Sequence, residues 1–291
     1  MPFFSFENFR KDDAQRYPSL AALVESAMES NAPRDFWSFL PQLSEFFHSD
    51  FTSRFLLNEL NEIGADINYD SLVYDVGIEI IRFPEFTIWI GSSRNRSFGE
   101  AGRSELASFA NDIIYYNLGP SAVQVTQYRC PPSQVNSIFD RSLRPEFVRQ
   151  FRQKPGDVIK LHAGKDILDI VGGTEDTYQM YVVSTRAQSL VWHYDAETLE
   201  PLYCSAGSTR ASSIQQSLDI LVELNFRAGL DAIASTFEAR DHFVRWSAVK
   251  AALAIDDRTG REILRRALQD PHPHVRKAAA RTVKILDTLP R

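Results

Sequence analysis

The chain has 291 residues, of which 44% are hydrophobic and 24% are charged, a balance typical of a folded protein rather than a disordered one. No apolar run approaches the ~20 residues that span a bilayer, and residues 1–8 lack the basic start and cleavage site of a signal peptide. The two cysteines, Cys130 and Cys204, are not in a Cys-x-x-Cys spacing, which argues against a disulfide scaffold or a structural zinc site. We therefore expect a cytoplasmic protein that does not enter a membrane.

The charges are unevenly distributed along the chain. Residues 240–291 carry 12 Lys/Arg and 6 Asp/Glu, a balance of +6. Since the whole chain carries 32 Lys/Arg and 38 Asp/Glu, the other 239 residues carry 20 and 32, a balance of −12. This asymmetry predicts that the basic end either meets an acidic partner or packs on its own acidic body.

The first segment, residues 1–66, is predicted to be helical. Pro18 suits the first turn of a helix, and Gly64 follows the last apolar residue of the pattern. Apolar residues recur at helical spacing at Phe36, Phe39, Leu40, Leu43, Phe46, Phe47, Leu56, Leu57 and Leu60. We interpret this stripe as core, and a homodimer through the Phe-rich helices stays open.

The second segment, residues 67–210, changes to short runs rich in β-branched and aromatic residues. The predicted strands are residues 78–83, 86–90, 122–128, 157–161, 178–183 and 189–194. One helix is predicted over 104–114, and a further helical turn over 146–152. Many short strands at close spacing indicate an antiparallel β-barrel or sandwich.

The third segment, residues 211–291, is predicted to be helical and to contain an internal repeat. A shift of 31 residues places Gly229 on Gly260 and Val244-Arg245 on Val275-Arg276. Each unit is predicted to form a helix, a short turn and a second helix. The Asp270-Pro271 turn followed by the Val-Arg opening of the next helix resembles HEAT repeats. The predicted fold class is therefore α+β, with a helical N-terminal segment, a central antiparallel β-region and C-terminal HEAT-like repeats.

The resemblance to HEAT repeats implies a partner surface, since stacked helix pairs of this kind present extended binding faces. Two units bury too little apolar surface alone, so we expect the pair to dock on residues 214–224 or on the β-region. We predict that Arg245 and Arg276 bind a protein or peptide partner; a purely structural cap is the alternative. Nucleic acid is disfavoured, because aromatic residues do not alternate with the basic ones. His272 and His274 could touch a metal, but the flanking prolines favour a rigid turn.

A stretch of the central segment resembles the second conserved motif of the cupins. Gly156, Asp157 and Gly164 match that motif, while His162 stands where a proline is usual and Ile167 stands at the metal-ligand position. Residues 123–136, where a cupin would carry further ligands, contain no His or Glu. Catalytic iron or manganese needs two or three His and a carboxylate. The resemblance therefore implies a cupin-like barrel that has lost its metal ligands.

Such a barrel could still hold a small molecule or a peptide at its mouth. The candidate ligand-binding residues are Gln127, Arg129, Asn136, His162 and His193. With these residues we predict a non-enzymatic binding protein that has no catalytic residue, no resident metal and no cofactor.

The alternative is an oxygenase. The triplet His193-Tyr194-Asp195 resembles the His-x-Asp motif of the Fe(II)/2-oxoglutarate oxygenases, which use the same type of barrel and add a distal His. That resemblance implies Fe(II) and 2-oxoglutarate as cofactors, with His193 and Asp195 as metal ligands. The downstream histidines, His242, His272 and His274, all fall in the repeat segment, which is the wrong place for a barrel ligand.

Overall fold

The structure is a computed structural model that describes residues 4–5, 9–28, 35–66, 68, 73–74, 77–92, 105–131, 138–171 and 178–288. The chain divides into two units, Met1–Ser205 and Ala206–Arg291. Within the described ranges, no helix is long and apolar enough to cross a membrane. We refer to the two units as the β-unit and the repeat unit.

Helices occupy most of the described N-terminal part of the β-unit, as predicted. They are α1 (Lys11–Arg16), α2 (Pro18–Met28), a 3-10 helix (Phe36–Phe39), α3 (Leu40–Phe47) and α4 (Phe51–Ala65). Pro18 is the first residue of α2, where its missing N–H costs no intrahelical hydrogen bond. Helix α4 ends at Ala65, one residue beyond Gly64.

The aromatic stripe of these helices lies in the core, but its continuation in α4 does not. The buried members are Phe36, Phe39, Leu43, Phe46 and Phe47. Leu57 and Leu60 are 62% and 66% exposed, so their predicted core position is wrong. Helix α4 buries Phe51 and Phe55 instead, and at 100° per residue Leu60 points away from that side. The side chains of Phe36, Phe39, Phe46, Phe47, Phe51 and Phe55 are buried, and a homodimer through the Phe-rich helices stays a prediction.

The described residues contain thirteen strands, of which β1 precedes these helices and the others follow them. They are β1 (Phe4–Ser5), β2 (Val73–Tyr74), β3 (Gly77–Arg82), β4 (Phe86–Ser92), β5 (Glu105–Ala107), β6 (Asn111–Asn117), β7 (Val123–Arg129), β8 (Glu146–Gln153), β9 (Val158–Leu161), β10 (Asp166–Val171), β11 (Tyr178–Ala187), β12 (Leu190–Asp195) and β13 (Pro201–Ala206). The large sheet has the order β1-β3-β4-β11-β6-β9, with β2 on β3. Two three-stranded sheets have the orders β10-β7-β8 and β13-β12-β5. Strand β1 pairs with β3 in parallel, and the pairs β2–β3, β3–β4, β4–β11, β11–β6, β6–β9, β10–β7, β7–β8 and β12–β5 are antiparallel.

Two helical predictions in this region are wrong. Residues 104–114 contribute to β5 and β6, and residues 146–152 belong to β8. Leu106, Phe109 and Ile113 are spaced like one face of a helix, which explains the misleading pattern. The β-branched and aromatic run from Ile113 to Tyr116 instead pairs with β11, and this long-range pairing overrides the local spacing.

The large sheet is apolar on both faces. Along β11, Met180 and Val182 belong to a core shared with the N-terminal helices. Tyr181 and Val183 point the other way, towards the β10-β7-β8 sheet. The helices of segment 1–66 and the large sheet therefore share one hydrophobic core, while the division at residues 66 and 210 stays a prediction.

The repeat unit consists of helices throughout its described length. They are α5 (Thr209–Glu223), a 3-10 helix (Arg227–Gly229), α6 (Leu230–Thr236), α7 (His242–Ile255), α8 (Asp257–Ala267) and α9 (Pro273–Thr288). The pairs α6–α7 and α8–α9 are the two predicted repeats. Leu218 of α5 is buried in their common core, so the pair docks on the preceding helix. A Cβ on Gly260 would lie 2.5 Å from Cα of Leu253, so glycine permits the close approach of α8 to α7. The predicted α+β fold class is confirmed.

Candidate functional site

The space between the large sheet and the β10-β7-β8 sheet is filled by apolar and aromatic side chains. We call this set the inter-sheet core: Ile113, Tyr115, Val123, Val125, Ile159, Leu161 and Tyr181 are buried in it, and Trp89, Phe109, Phe151, Leu168, Ile170 and Val183 are partly buried against them. The rings of Trp89 and Tyr181 are parallel within 3°, with centroids 6.3 Å apart. The centroids of Tyr115 and Tyr181 are 5.9 Å apart. Five of these thirteen side chains are aromatic, so the region between the two sheets combines ring faces with aliphatic side chains.

Gln127 lies at one end of this region, in a polar network across three strands. Its Nε2 donates to Oδ1 of Asp166 (3.2 Å), and its Oε1 accepts from Nε of Arg149 (2.9 Å). The guanidinium of Arg149 also lies over the ring of Phe151, 4.5 Å from its centroid. Gln127 and Asp166 are 6% and 2% exposed. The network ties β7, β8 and β10 together, and a role of Gln127 in ligand binding stays a prediction.

The other predicted ligand-binding residues are distributed around the β-unit. Arg129 is exposed at the end of β7. His162 is also exposed; its ring lies 4.5 Å from that of Trp37, and its backbone N donates to Oδ2 of Asp166 (2.8 Å). The structure thus connects Gln127 and His162 through Asp166. Asn136 falls outside the described residues.

His193 belongs to the β13-β12-β5 sheet. Its Nε2 lies 2.8 Å from Oγ of Ser205, and its Nδ1 lies 3.7 Å from Oε2 of Glu105. Its ring stacks on that of Tyr203, at 4.3 Å between centroids. Burial lowers the pKa of His193, although the charge of Glu105 partly opposes this shift. His193 is therefore held within a small polar and aromatic group on its own sheet.

Asp195 fixes the hairpin between β12 and β13. Its Oδ1 accepts hydrogen bonds from the backbone N of Glu197 (3.0 Å) and of Thr198 (2.8 Å), and from Oγ1 of Thr198 (3.1 Å). In the described part of the chain, the one set of three His, Cys, Asp or Glu side chains that could share an ion lies in the repeat unit. The oxygenase interpretation of His193 and Asp195 stays a prediction.

Ile167, at the position where the cupin resemblance places a metal ligand, is fully buried. It lies in a small core with Leu106, Cys130, Trp192 and Tyr194. Burial raises the pKa of the Cys130 thiol to about 12, so this cysteine is a neutral, unreactive core residue at pH 7.

A buried amide that the sequence analysis missed lies on β11. Gln179 is 2% exposed, and within the described ranges neither its Nε2 nor its Oε1 has a hydrogen-bond partner. It shares the face of Tyr181 and pairs in register with Gly91 and Asn117. Oε1 of Gln153, which is completely buried, also lacks a partner there. The one amide in the apolar and aromatic run from Tyr178 to Val183 is the sequence signal that could have identified Gln179.

Arg245 has a structural position inside the repeat unit. Its Nε and Nη2 each donate to Asp270 at 2.7 Å, which makes a two-pronged ion pair between the first and second repeats. Its Nη1 donates to the carbonyl oxygens of Ala239 (2.9 Å) and Arg240 (2.8 Å). Hydrogen bonding to Asp270 raises the pKa of Arg245. Burial acts to raise the pKa of Asp270, but the bonds from Arg245 and from the backbone N of His272 lower it overall.

Arg276 repeats part of this arrangement. Its Nη1 donates to the carbonyl oxygens of Asp270 (2.6 Å) and Pro271 (2.9 Å), the positions 31 residues after Ala239 and Arg240. Arg276 is exposed, whereas the Arg245 side chain is only 12% exposed. Both arginines therefore hold the turn that precedes their own helix, and their predicted contact with a partner stays a prediction.

The comparisons with known proteins identify the repeats. Residues 230–291, about a fifth of the chain, match the family model of HEAT repeats. HEAT repeats generally mediate protein interactions, so the match indicates an interaction surface. A comparison with curated proteins finds no match.

Among solved structures, the chain aligns with hydroquinone 1,2-dioxygenase from Sphingomonas sp. TTNP3, bound to 4-hydroxybenzoate, at 9% identity and a TM-score of 0.25. The alignment covers 36% of this chain and 63% of that one, which is less than two thirds of its length. Polyketide cyclase RemF from Streptomyces resistomycificus aligns at 11% identity and a TM-score of 0.24, covering 50% of this chain and 89% of RemF. The capsular polysaccharide assembling protein CapF from Staphylococcus aureus aligns at 13% identity and a TM-score of 0.24, covering 64% and 46%. At these TM-scores the alignments carry no argument about fold or activity.

Proposed function

We propose that this chain is a non-enzymatic interaction protein whose repeat unit binds an acidic segment of a partner protein along α9. The observation that carries the proposal is a row of exposed basic side chains on the last helix of the HEAT match. Lys277, Arg281 and Lys284 are all exposed. They follow one another at spacings of four and three residues, so they line one side of the helix.

Helix geometry places this row opposite the core. Val275 and Ala279 are 1% and 0% exposed and pack into the repeat core. At 100° per residue, the row of Lys277, Arg281 and Lys284 points about 180° away from them. Among the described residues, no hydrogen bond or ion pair joins these three side chains to an acidic group. We call them the α9 basic row.

The neighbouring helix α8 shows the contrast. Its Arg261 pairs with Asp257 at 2.8 Å, and its Arg266 pairs with Glu238 while its guanidinium lies over the ring of Phe237. Two of the four arginines of α8, Arg261 and Arg266, are thus paired within the unit, whereas among the described residues Arg258 and Arg265 form no ion pair. The α9 basic row has no paired member, and it can therefore attract an acidic partner over a distance of about one Debye length.

A protein segment fits this face better than nucleic acid does. Ile285 is 60% exposed beside the row, and an apolar side chain in that place suits a peptide side chain rather than a phosphate backbone. Stacking aromatic residues, which single-stranded nucleic acid uses, are absent from α9.

The test combines charge reversal with a photo-crosslinker on the full chain. A crosslinking residue at the exposed Ala280 would capture the partner in cells, and mass spectrometry would identify the crosslinked peptide. The variant Lys277→Glu/Arg281→Glu/Lys284→Glu should lose this crosslink. The matched control, Arg258→Glu/Arg265→Glu/Lys154→Glu, changes the net charge equally at exposed sites elsewhere and should keep it.

Two direct probes complete the test. A fluorescent Glu/Asp-rich peptide and a single-stranded oligonucleotide of equal charge are titrated against wild type and both variants at 50 and 200 mM salt. Tighter binding of the peptide, lost in the α9 variant alone, supports the proposal. Preferential binding of the oligonucleotide, or equal loss in both variants, contradicts it.

A second candidate function is favoured by Gln179. A buried amide that lacks partners costs about 1–3 kcal/mol, and a bound polar molecule would remove that cost. We infer that a small planar molecule with an amide-like donor and acceptor binds at the amide of Gln179, beside the aromatic rings of the inter-sheet core. Trp89 and Tyr181 lie on the same face of the sheet as Gln179.

Saturation-transfer NMR with benzamide, benzoate, uracil and adenine as probes tests this site. Binding of an amide-bearing probe that disappears in Gln179→Leu and persists in Gln150→Leu, an exposed position on β8, supports the assignment. Equal signals from wild type and Gln179→Leu would rule it out.

A further inference from the structure

Three histidines from the two repeats converge at one place in the repeat unit. His242 is the first residue of α7 in the first repeat. His272 lies in the turn before α9, and His274 is the second residue of α9. In the 31-residue register His242 corresponds to Pro273, between the other two histidines. The turn of the second repeat therefore packs against the equivalent position of the first.

The ring nitrogens of these histidines are close enough to share one ion. One ligand atom from each ring lies within 4.8 Å of the others. A tetrahedral zinc ion with metal–nitrogen distances of ~2.05 Å separates its nitrogens by about 3.3 Å, so the rings must rotate about their side-chain torsions, and the stack of His242 on His272 must open, to bind an ion. His242 and His272 stack at 3.6 Å between centroids, and His274 lies edge-on to His272 at 5.2 Å. The three rings already form one contiguous group.

Prolines and a backbone hydrogen bond hold His272 in place, and Asp270 balances the positive charge of Arg245 beside the three rings. His272 stands between two prolines with fixed φ, and its backbone N donates to Oδ1 of Asp270 at 2.8 Å. The backbone N of His274 lies 3.3 Å from Nδ1 of His272. Coordination through Nε2 places the ring proton on Nδ1, so this long contact must give way when an ion binds. The nearby charge of Arg245 is matched by Asp270, so an incoming cation meets an ion pair rather than a bare guanidinium.

The ligand chemistry also suits an ion of this class. A neutral imidazole offers the lone pair that zinc, copper and nickel prefer.

We propose that His242, His272 and His274 bind one divalent transition-metal ion, with Zn²⁺ as the reference ion, at the junction of the two repeats. The ion joins the start of α7 to the turn before α9, so it stabilises the repeat unit. His274 is exposed, which leaves the fourth coordination position facing solvent. This site is independent of the α9 basic row and stands whether or not an acidic partner binds there.

The experiment uses the full chain without an affinity tag. Zn²⁺ is titrated in competition with a chromophoric chelator, and Co²⁺ is added separately because a four-coordinate Co²⁺ ion absorbs strongly in the visible. Wild type should bind one ion per chain and show the Co²⁺ band. Loss of a partner that only orients a ligand costs about 10–100-fold in affinity, so removal of a ligand in His274→Gln should cost more than about 100-fold.

Control variants separate this site from adventitious or alternative binding. His274 is exposed, so His274→Gln should keep the wild-type melting temperature in EDTA, and Zn²⁺ should raise that temperature in wild type but not in His274→Gln. His48→Gln and His193→Gln should bind Zn²⁺ as wild type does. Equal affinity of wild type and His274→Gln would overturn the proposal. Loss of binding in His193→Gln would also overturn it and would support the oxygenase interpretation.

Discussion

Asp270 in the repeat unit and Gln179 in the β-unit are both almost fully buried, but their polar atoms have opposite surroundings. Asp270 receives two hydrogen bonds from Arg245 and one from the backbone of His272. In the described part of the chain, the amide of Gln179 receives and donates none. The repeat unit thus uses a buried polar group to join its two halves, whereas the β-unit leaves one beside its aromatic inter-sheet core.

The difference indicates which interior is a structural joint and which is available to a ligand. Breaking a completely paired buried ion pair costs stability, and its atoms have no hydrogen-bonding capacity left for a ligand. A buried amide with unused hydrogen-bonding capacity gains from any polar molecule that reaches it. Removal of the buried polar side chain should therefore destabilise the protein at Asp270 and stabilise it at Gln179.

The largest effect is expected from Asp270→Ala. It leaves the guanidinium of Arg245, 12% exposed, without its carboxylate, and should lower the stability of the repeat unit by about 3–5 kcal/mol. Arg276→Ala removes an exposed side chain that donates hydrogen bonds to the same turn, and should lower the stability of the repeat unit by about 1 kcal/mol. Hydrogen-exchange mass spectrometry, which follows peptides of 209–288 separately from the β-unit, measures both. Similar losses in the two variants would contradict the structural role assigned to the ion pair.

Glycine substitutions extend the comparison to backbone packing. In Gly260→Ala the new Cβ would lie 2.5 Å from the backbone of Leu253, so α8 must move away from α7, at a cost of about 1–3 kcal/mol. In Gly64→Ala the new Cβ meets nothing within 4 Å, and alanine should stabilise the last turn of α4 by about 0.5–1 kcal/mol. Exchange rates in the two helices report each change. A neutral Gly260→Ala would show that the α7–α8 contact is looser than described.

Two buried amides of the β-unit, Asn117 and Gln179, should respond in opposite ways to replacement by leucine. Asn117 is 1% exposed, and its amide forms hydrogen bonds with backbone groups of Ser121, Gln153 and Gly119. Asn117→Leu leaves these groups without this partner and should lower stability by about 2 kcal/mol or more. Gln179→Leu removes an amide that has no such bonds and should stabilise the protein by about 1 kcal/mol. Urea unfolding at pH 7 in the absence of added ligand compares them. A destabilised Gln179→Leu would mean that the amide is already satisfied in solution.

The smallest effect concerns pH. The folded pKa of His193 is lowered, so below ~6.5 the unfolded chain binds a proton that the folded chain does not. Stability of the β-unit should therefore fall as the pH drops below ~6.5, until the folded pKa is passed. His193→Gln should flatten this part of the profile, measured by urea unfolding between pH 5.5 and 7.5. An unchanged profile would assign the dependence to other groups.

The sequence was sufficient where a pattern repeats or alternates locally. The 31-residue overlap predicted α6 to α9, because each repeat supplies the same apolar spacing. Strands such as β3, β4 and β11 were found from their β-branched and aromatic runs. Leu60 was misplaced because helical spacing identifies a stripe but not which of two stripes on α4 faces the core; Phe51 and Phe55 have the buried side.

The contacts that define the candidate sites depend on distant residues. Arg245 and Arg276 follow the same Val-Arg pattern, but the ion pair with Asp270 exists only because two repeats stack. His242 aligns with Pro273 and shares no motif with His272 or His274, so packing between repeats alone brings the three together. Local spacing cannot supply such information, since it concerns side chains that are about 30 residues apart.

The two apolar faces of the large sheet have a consequence for folding kinetics. A slip of β11 by one residue would exchange Met180 and Val182 with Tyr181 and Val183, and both sets are apolar. Polarity therefore discriminates weakly between the correct register and its neighbour, and the discrimination depends on ring size and on the positions of Gln179 and Ser184. We expect a misregistered intermediate of this strand to be a slow step of refolding, and one that larger side chains at position 180 would prolong.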